Sequence, residues 1–273
     1  MVGKLIKHEA IRTRGLVLQI LGVATLLAAA GALFAATQWP MIAQLGLVMG
    51  LLATIGLVPA IQLALGIDYW TSSYRRTGYF TQTLPIRGST IYWAKLAWAV
   101  VVVIGSVVWG LLLGLVTFFG NAASLGLRPF DVFDIVGDFL TEAAALMPGW
   151  AWFVVPVLVL LVLTMTLVQY FFCASVGSEK RFNSMGIGGP IVVWVLLYVA
   201  MQLALMAFMI VIPLGFGMDG DTLGLVGLNF LDVMVTGDDP AAMPIGFIPG
   251  FLIAAVILVW RTTVSWNRKV SLA

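Results

Sequence analysis

The sequence predicts an all-α membrane protein, with six transmembrane helices in a single transmembrane domain over residues 1–273 and both termini in the cytoplasm. Three observations carry this reading. The 273 residues are 62% hydrophobic and 10% charged, with a mean hydropathy of +1.08, whereas soluble domains run nearer ~45–50% apolar. Six apolar segments stand out, at about 16–37, 42–67, 91–119, 150–176, 186–217 and 244–265. Each reaches the roughly 20 residues that a helix needs to cross about 30 Å of hydrocarbon. Finally, the charges are sorted by side. With the N-terminus inside, the inner segments 1–15, 68–90, 177–185 and 266–273, with the helix feet beside them, hold thirteen of the fourteen Lys and Arg residues, and only Arg128 falls outside. Basic residues stay preferentially on the cytoplasmic side. The acids do the reverse, with nine of twelve in two long outer loops.

Taken in order, the first element is "MVGKLIKHEAIRTRG". On a helix it places Val2, Leu5, Ile6 and Ala10 on one side and Lys4, Lys7, His8 and Arg14 on the other. The expected element is an interfacial amphipathic helix over 1–15, its basic residues against anionic lipid. Glu9 interrupts the apolar side. Two readings of it stand: an ion pair with Arg12 one turn on, or a face turned to protein. The first span is expected to be retained, because Leu16–Ala36 exceeds the roughly 7–15 residues of a secretory h-region. Trp39, Tyr69, Trp70, Tyr92, Trp93 and Trp150 fall near span ends, where amphipathic rings favour the headgroup layer.

Between spans two and three lies "YRRTGYFTQTLPIRG", a polar island at Tyr74–Gly88. Thr71–Thr83 is expected to form a short helix stopped by Leu84-Pro85, since the residue before proline disfavours the helical region. The simplest role is a positive-inside anchor with interfacial tyrosines.

Among the outer loops, "PFDVFDIVGDFLTEAAAL" begins with proline at a helix start. Asp131, Asp134, Asp138 and Glu142 fall on one helical stripe, with Phe133, Val136, Phe139, Leu140 and Ala143 opposite. An amphipathic helix over about 130–146 is expected on the outer leaflet, its acids either solvated or attracting cationic cargo. The second outer segment, 218–243, has an apolar middle too short to cross the bilayer, and a re-entrant or interfacial helical piece is expected there.

Much chemistry is missing. No P-loop, Gly-x-Ser-x-Gly, His-Glu-x-x-His or Cys-x-x-Cys pattern occurs. One His and one Cys offer no paired ligands for a metal. No acid or base stands at mid-span, where ion-coupled carriers place their relays. Gln19, Gln44, Gln62, Gln169 and Gln202 are the main polar groups at depth, as interhelical hydrogen bonders or cavity lining. Gly46/Gly50, Gly110/Gly114 and Gly246/Gly250 match the Gly-x-x-x-Gly spacing of close helix approach. An uncharged path of this kind needs energy from a partner.

The basic "KLIKHEAIRTRG" before span one and "YRRTGYFTQTLPIRGSTIYWAKL" between spans two and three resemble the ABC-2 type transporter permeases. Thr83, Leu84 and Pro85 match the family's Thr-Leu-Pro turn, and Lys95 its later lysine near span three. The resemblance extends to the whole architecture. It implies the membrane subunit of an ABC exporter, paired with a second permease copy as a homo- or heterodimer and bound to separate P-loop ATPase subunits. Arg75, Arg76, Thr77, Gly78, Tyr79, Phe80, Thr83, Leu84 and Pro85 would form the coupling helix that contacts the ATPase. The N-terminal helix, with Lys4, Lys7, His8, Glu9 and Arg12, would lie beside it. ATP and Mg would belong to the partner, leaving this chain without cofactor, metal or catalytic residues of its own and with no nucleic-acid role. The expected location is a bacterial plasma membrane, as a multi-pass protein. The rival reading is an ATP-independent channel, a secondary carrier or a structural subunit of a membrane complex.

Overall fold

The computed structural model describes residues 2–75, 78, 86–220, 222–237, 239–240 and 242–268. Among these, six helices are long and apolar enough to cross a membrane, the architecture of a multi-pass membrane protein. The chain divides into two compact units, Met1–Phe139 and Leu140–Ala273.

The first unit is a bundle of three long helices, each packed on the other two: α1 (Val2–Ala36), α2 (Pro40–Tyr74) and α3 (Gly88–Asn121). Helix α1 corrects one expected boundary. It runs unbroken through residue 15, so residues 2–15 are not a separate element but the first four turns of a 35-residue helix. The physical reason is simple: Gly15 costs about 1 kcal/mol relative to alanine and there is no proline, so nothing interrupts the hydrogen-bond ladder. Helix α2 starts at Pro40, which has no N–H to leave unpaired at a helix start. It continues through Thr71–Tyr74 and breaks at Arg75, whose backbone is extended. The helix expected over Thr71–Thr83 therefore begins inside α2, and of its remainder past Arg75 only Gly78 is among the described residues.

Glycine sets the closeness of the α1–α2 crossing. A Cβ on Gly31 would come 2.6 Å from the Gly46 carbonyl oxygen and 2.9 Å from the Gly50 nitrogen. One on Gly46 would strike the Gly31 carbonyl in return, and one on Gly50 would strike Thr117 of α3. The first Gly-x-x-x-Gly spacing thus joins three helices. Gly110 and Gly114 do not need to be glycine on this ground, because a Cβ there stays at 3.5 Å or more from its neighbours.

After a 3₁₀ turn at Ala122–Leu125 comes α4 (Asp131–Leu146), a helix over the stretch where one was expected at about 130–146. Asp131 and Asp134 stand in its first turn, where the helix dipole favours acids. Phe133, Val136, Phe139 and Leu140 remain exposed, as do Asp134, Asp138 and Glu142. Only Val132 and Ala143 are buried.

The second unit packs α5 (Ala151–Val176), α6 (Gly188–Val211) and α8 (Phe247–Arg268) on one another. Gly246 and Gly250 bring α8 onto α6, since a Cβ on Gly246 would lie 2.6 Å from the Ile212 carbonyl oxygen. Between α6 and α8 the chain forms β1 (Leu214–Asp219), β2 (Thr222–Gly227), a short helix α7 (Phe230–Thr236) and β3 (Ala242–Pro244). The strands make an antiparallel sheet in the order β2-β1-β3, with Phe216 opposite Leu225 and Met243. This corrects two expectations. The fifth span ends at Val211, not 217, because Pro213 cannot extend the helix. The helical piece expected over 218–243 is confined to α7. Leu214, Phe216 and Met218 alternate with glycine at period two, which suits a strand. Gly220, at φ +65°, turns the chain back at the Asp219–Thr222 pair.

Candidate functional site

The feature that stands out in the first unit is a network of charges, one buried and three half-buried, where three helix ends meet. The N-terminal turns of α1, the C-terminal turns of α2 and the N-terminal turns of α3 come together at one end of the bundle, each delivering ionic side chains. Glu9 and Arg12 are one turn apart on α1 and form an ion pair. The Arg12 guanidinium also reaches α2, donating to both Asp68 oxygens at 2.7 Å, the fork-to-fork geometry of the strongest arginine–carboxylate pairs. From α3, the Lys95 ammonium donates to Glu9 Oε1 at 2.9 Å and to Ser72 Oγ of α2 at 3.0 Å. Lys95 is only 4% exposed. Thr13 continues the network one turn further, accepting from the Trp98 indole N–H at 2.8 Å while donating to the Glu9 carbonyl oxygen at 2.9 Å.

A buried charge without a partner is costly, whereas a well-paired one roughly breaks even. The arrangement balances: two acids, Glu9 and Asp68, face two bases, Arg12 and Lys95. The two readings of Glu9 are therefore both realised, since it pairs with Arg12 and faces the Lys95 ammonium of another helix. Lys4, Lys7 and His8, by contrast, are exposed.

The expected coupling stretch joins α2 to α3 and begins directly beyond this network. Arg75 lies over the Trp70 ring at 4.5 Å, a cation–π contact that folds it back on α2. The Gly78 N–H donates to the Arg75 carbonyl oxygen at 2.7 Å. A Cβ on Gly78 would come 2.5 Å from the Ser73 carbonyl oxygen, so the chain here presses against the end of α2 as only glycine allows. Arg76, Thr77, Tyr79, Phe80, Thr83, Leu84 and Pro85 lie outside the described residues.

In the second unit a smaller cluster has the same character. Arg261 Nη2 of α8 lies 2.6 and 2.8 Å from the two oxygens of Glu179, in the turn after α5, and Ser265 donates to the same carboxylate at 2.9 Å. Ahead of α4, the Arg128 backbone N–H donates to Asp131 Oδ2 at 2.8 Å and so secures the start of that helix.

The sequence reading did not place Asp68, Ser72 or Glu179 in a site, although a signal was present. Nine of the twelve acids fall in the two stretches read as outer loops, and the other three, Glu9, Asp68 and Glu179, fall among the segments that hold the bases. All three are ion-paired in the structure. Comparison with protein-family models, curated proteins and solved structures finds no match to this chain.

Proposed function

We propose that the chain is the permease subunit of an ATP-driven exporter in a bacterial plasma membrane, with its termini in the cytoplasm and its energy supplied by separate P-loop ATPase subunits that bind ATP and Mg. The observation that carries this reading is the largely water-excluded Glu9–Lys95–Arg12–Asp68 network. It ties α1 to both helices that flank the 75–87 connection. A push delivered there by a closing ATPase reaches all three helices together, because none can move alone without uncovering a charge. That is what a lever requires. An uncharged transport path also needs an external energy source. The aromatic and Met-rich spans favour an amphipathic or hydrophobic cargo, such as a peptide, a lipid-like molecule or a drug. A second permease copy would supply the other wall of the path, and the exposed acids of α4 would meet cationic parts of the cargo.

The test is co-purification from native membranes in mild detergent, followed by reconstitution. An ATPase should be retained and should hydrolyse ATP in step with transport. Replacing Arg75, Arg76 and Tyr79 together should release it or uncouple hydrolysis from transport. Unchanged assembly and transport in that variant would return the stretch to plain membrane anchoring.

A further inference from the structure

We propose that the groove between α1 and α3 binds one anionic diacyl phospholipid, with an acyl chain in the groove and the phosphate on Arg14. The groove holds about 520 Å³ and is walled by Ile11, Leu18 and Leu21 of α1 and by Trp98, Val101 and Gly105 of α3, with Arg14 as its charged lining residue. Both flanking indoles have already used their only donors, Trp98 on Thr13 and Trp109 on Thr25, so they offer the groove ring surface. Ser106 is spent on the Val103 carbonyl. The seat is therefore apolar along its length and cationic at one end, which is the chemistry of an anionic amphiphile. From Trp98 to Trp109 it follows α3 for eleven residues, about 16 Å at the helical rise, which accommodates most of an acyl chain.

The sequence of α1 repeats the same polarity. Lys4, Lys7, Ile11, Arg14, Leu18 and Leu21 fall within an arc of about 100° at the helical period. The three bases, with Ile11 between them, lie toward the N-terminus and Leu18 and Leu21 follow, in the order of headgroup and tail. Arg12 points elsewhere, into the ion-pair network, while Lys4, Lys7 and Arg14 are exposed and make no hydrogen bond or ion pair among the described residues. Charge complementarity favours lipid over a second copy of the chain as the occupant. The three acids near the basic helix ends, Glu9, Asp68 and Glu179, are already paired, and the other nine lie in the outer loops. This inference stands whether or not an ATPase partner exists.

The test uses the full chain in vesicles doped with spin-labelled phosphatidylglycerol or phosphatidylcholine, reading the motionally restricted fraction by electron paramagnetic resonance. Phosphatidylglycerol should be preferred about fivefold, the equivalent of ~1 kcal/mol for one base at an anionic headgroup. Arg14→Gln should bring that preference close to one, and Lys180→Gln, an exposed base in the other unit, should leave it intact. Gly105→Leu should lower the restricted fraction for both lipids, because a Cβ there meets nothing within 4 Å and the new side chain can occupy the seat. Inorganic phosphate should displace neither lipid. The proposal is overturned if the wild type shows no preference, if Arg14→Gln behaves as Lys180→Gln does, or if Gly105→Leu changes nothing. Displacement by inorganic phosphate would overturn it in favour of a bare anion site. A dimer that Gly105→Leu dissociates would assign the groove to a second copy. If Arg14→Gln fails to fold, as judged by elution and melting, native mass spectrometry of the wild type decides: it should carry phosphatidylglycerol and not phosphatidylcholine.

Discussion

Glu9→Gln is the perturbation that tests the ion-pair network most sharply, because the two ends of its bond to Lys95 are not equivalent. Removing the Glu9 charge leaves the Lys95 ammonium, 4% exposed, without its contacting counter-ion and with neutral acceptors, such as Ser72 Oγ at 3.0 Å, in its place. Stranding one partner of a buried pair costs about 3–5 kcal/mol, which is on the order of a hundredfold or more in the folded-to-unfolded ratio. Lys95→Met should be much milder. Glu9 keeps Arg12 as a partner, and an apolar side chain of similar length replaces the cation, an exchange expected to fall within about 1 kcal/mol of neutral. The double variant should therefore be more stable than Glu9→Gln alone, with a coupling energy of about 2 kcal/mol or more. The assay is equilibrium unfolding in mixed micelles titrated with dodecyl sulfate, followed by far-ultraviolet circular dichroism. The reasoning fails if Lys95→Met costs as much as Glu9→Gln, or if the two effects simply add.

Other outcomes follow from the same geometry. Gly46→Ala should destabilise by about 1–3 kcal/mol in that titration, since its methyl group meets the Gly31 backbone. Gly22→Ala, which opens into free space, should instead be neutral or stabilise by up to ~1 kcal/mol. Glu179→Gln should weaken the hold of Arg261 and Ser265 and raise hydrogen exchange across Thr262–Asn267. Its cost should be nearer ~1–2 kcal/mol, because this pair is more exposed than Lys95. Thr13→Val removes the acceptor of the Trp98 indole; a loss of about 1 kcal/mol and a shifted tryptophan emission are expected, and unchanged emission would place that indole elsewhere.

Six helices were legible in the sequence because the bilayer requirement is one-dimensional. A run of about twenty apolar residues either spans or does not, whatever packs beside it. Helix α4 was legible for a related reason: its acids and apolar residues sort by the helical period, and Pro129 stands just ahead of it. The hairpin after α6 was harder. Its apolar residues are too few to decide between periods, and pairing with β3 from the far side of α7 is a long-range fact. The end of α1's supposed interfacial segment was illegible because amphipathicity describes faces, not breaks.

Charge segregation on the chain already marked Glu9, Asp68 and Glu179 as acids out of place. It could not say what answers them. Glu9 and Lys95 stand 86 positions apart in sequence, and Arg12 and Asp68 56 apart. Those pairings exist only because α1, α2 and α3 pack on one another and bring their ends together. The sequence by itself determined which segments are helical and apolar enough to leave water, since that depends on each segment's own composition. Only the tertiary structure decided that a few scattered charges form one balanced network, because a buried charge is tolerable only where its partner actually lies.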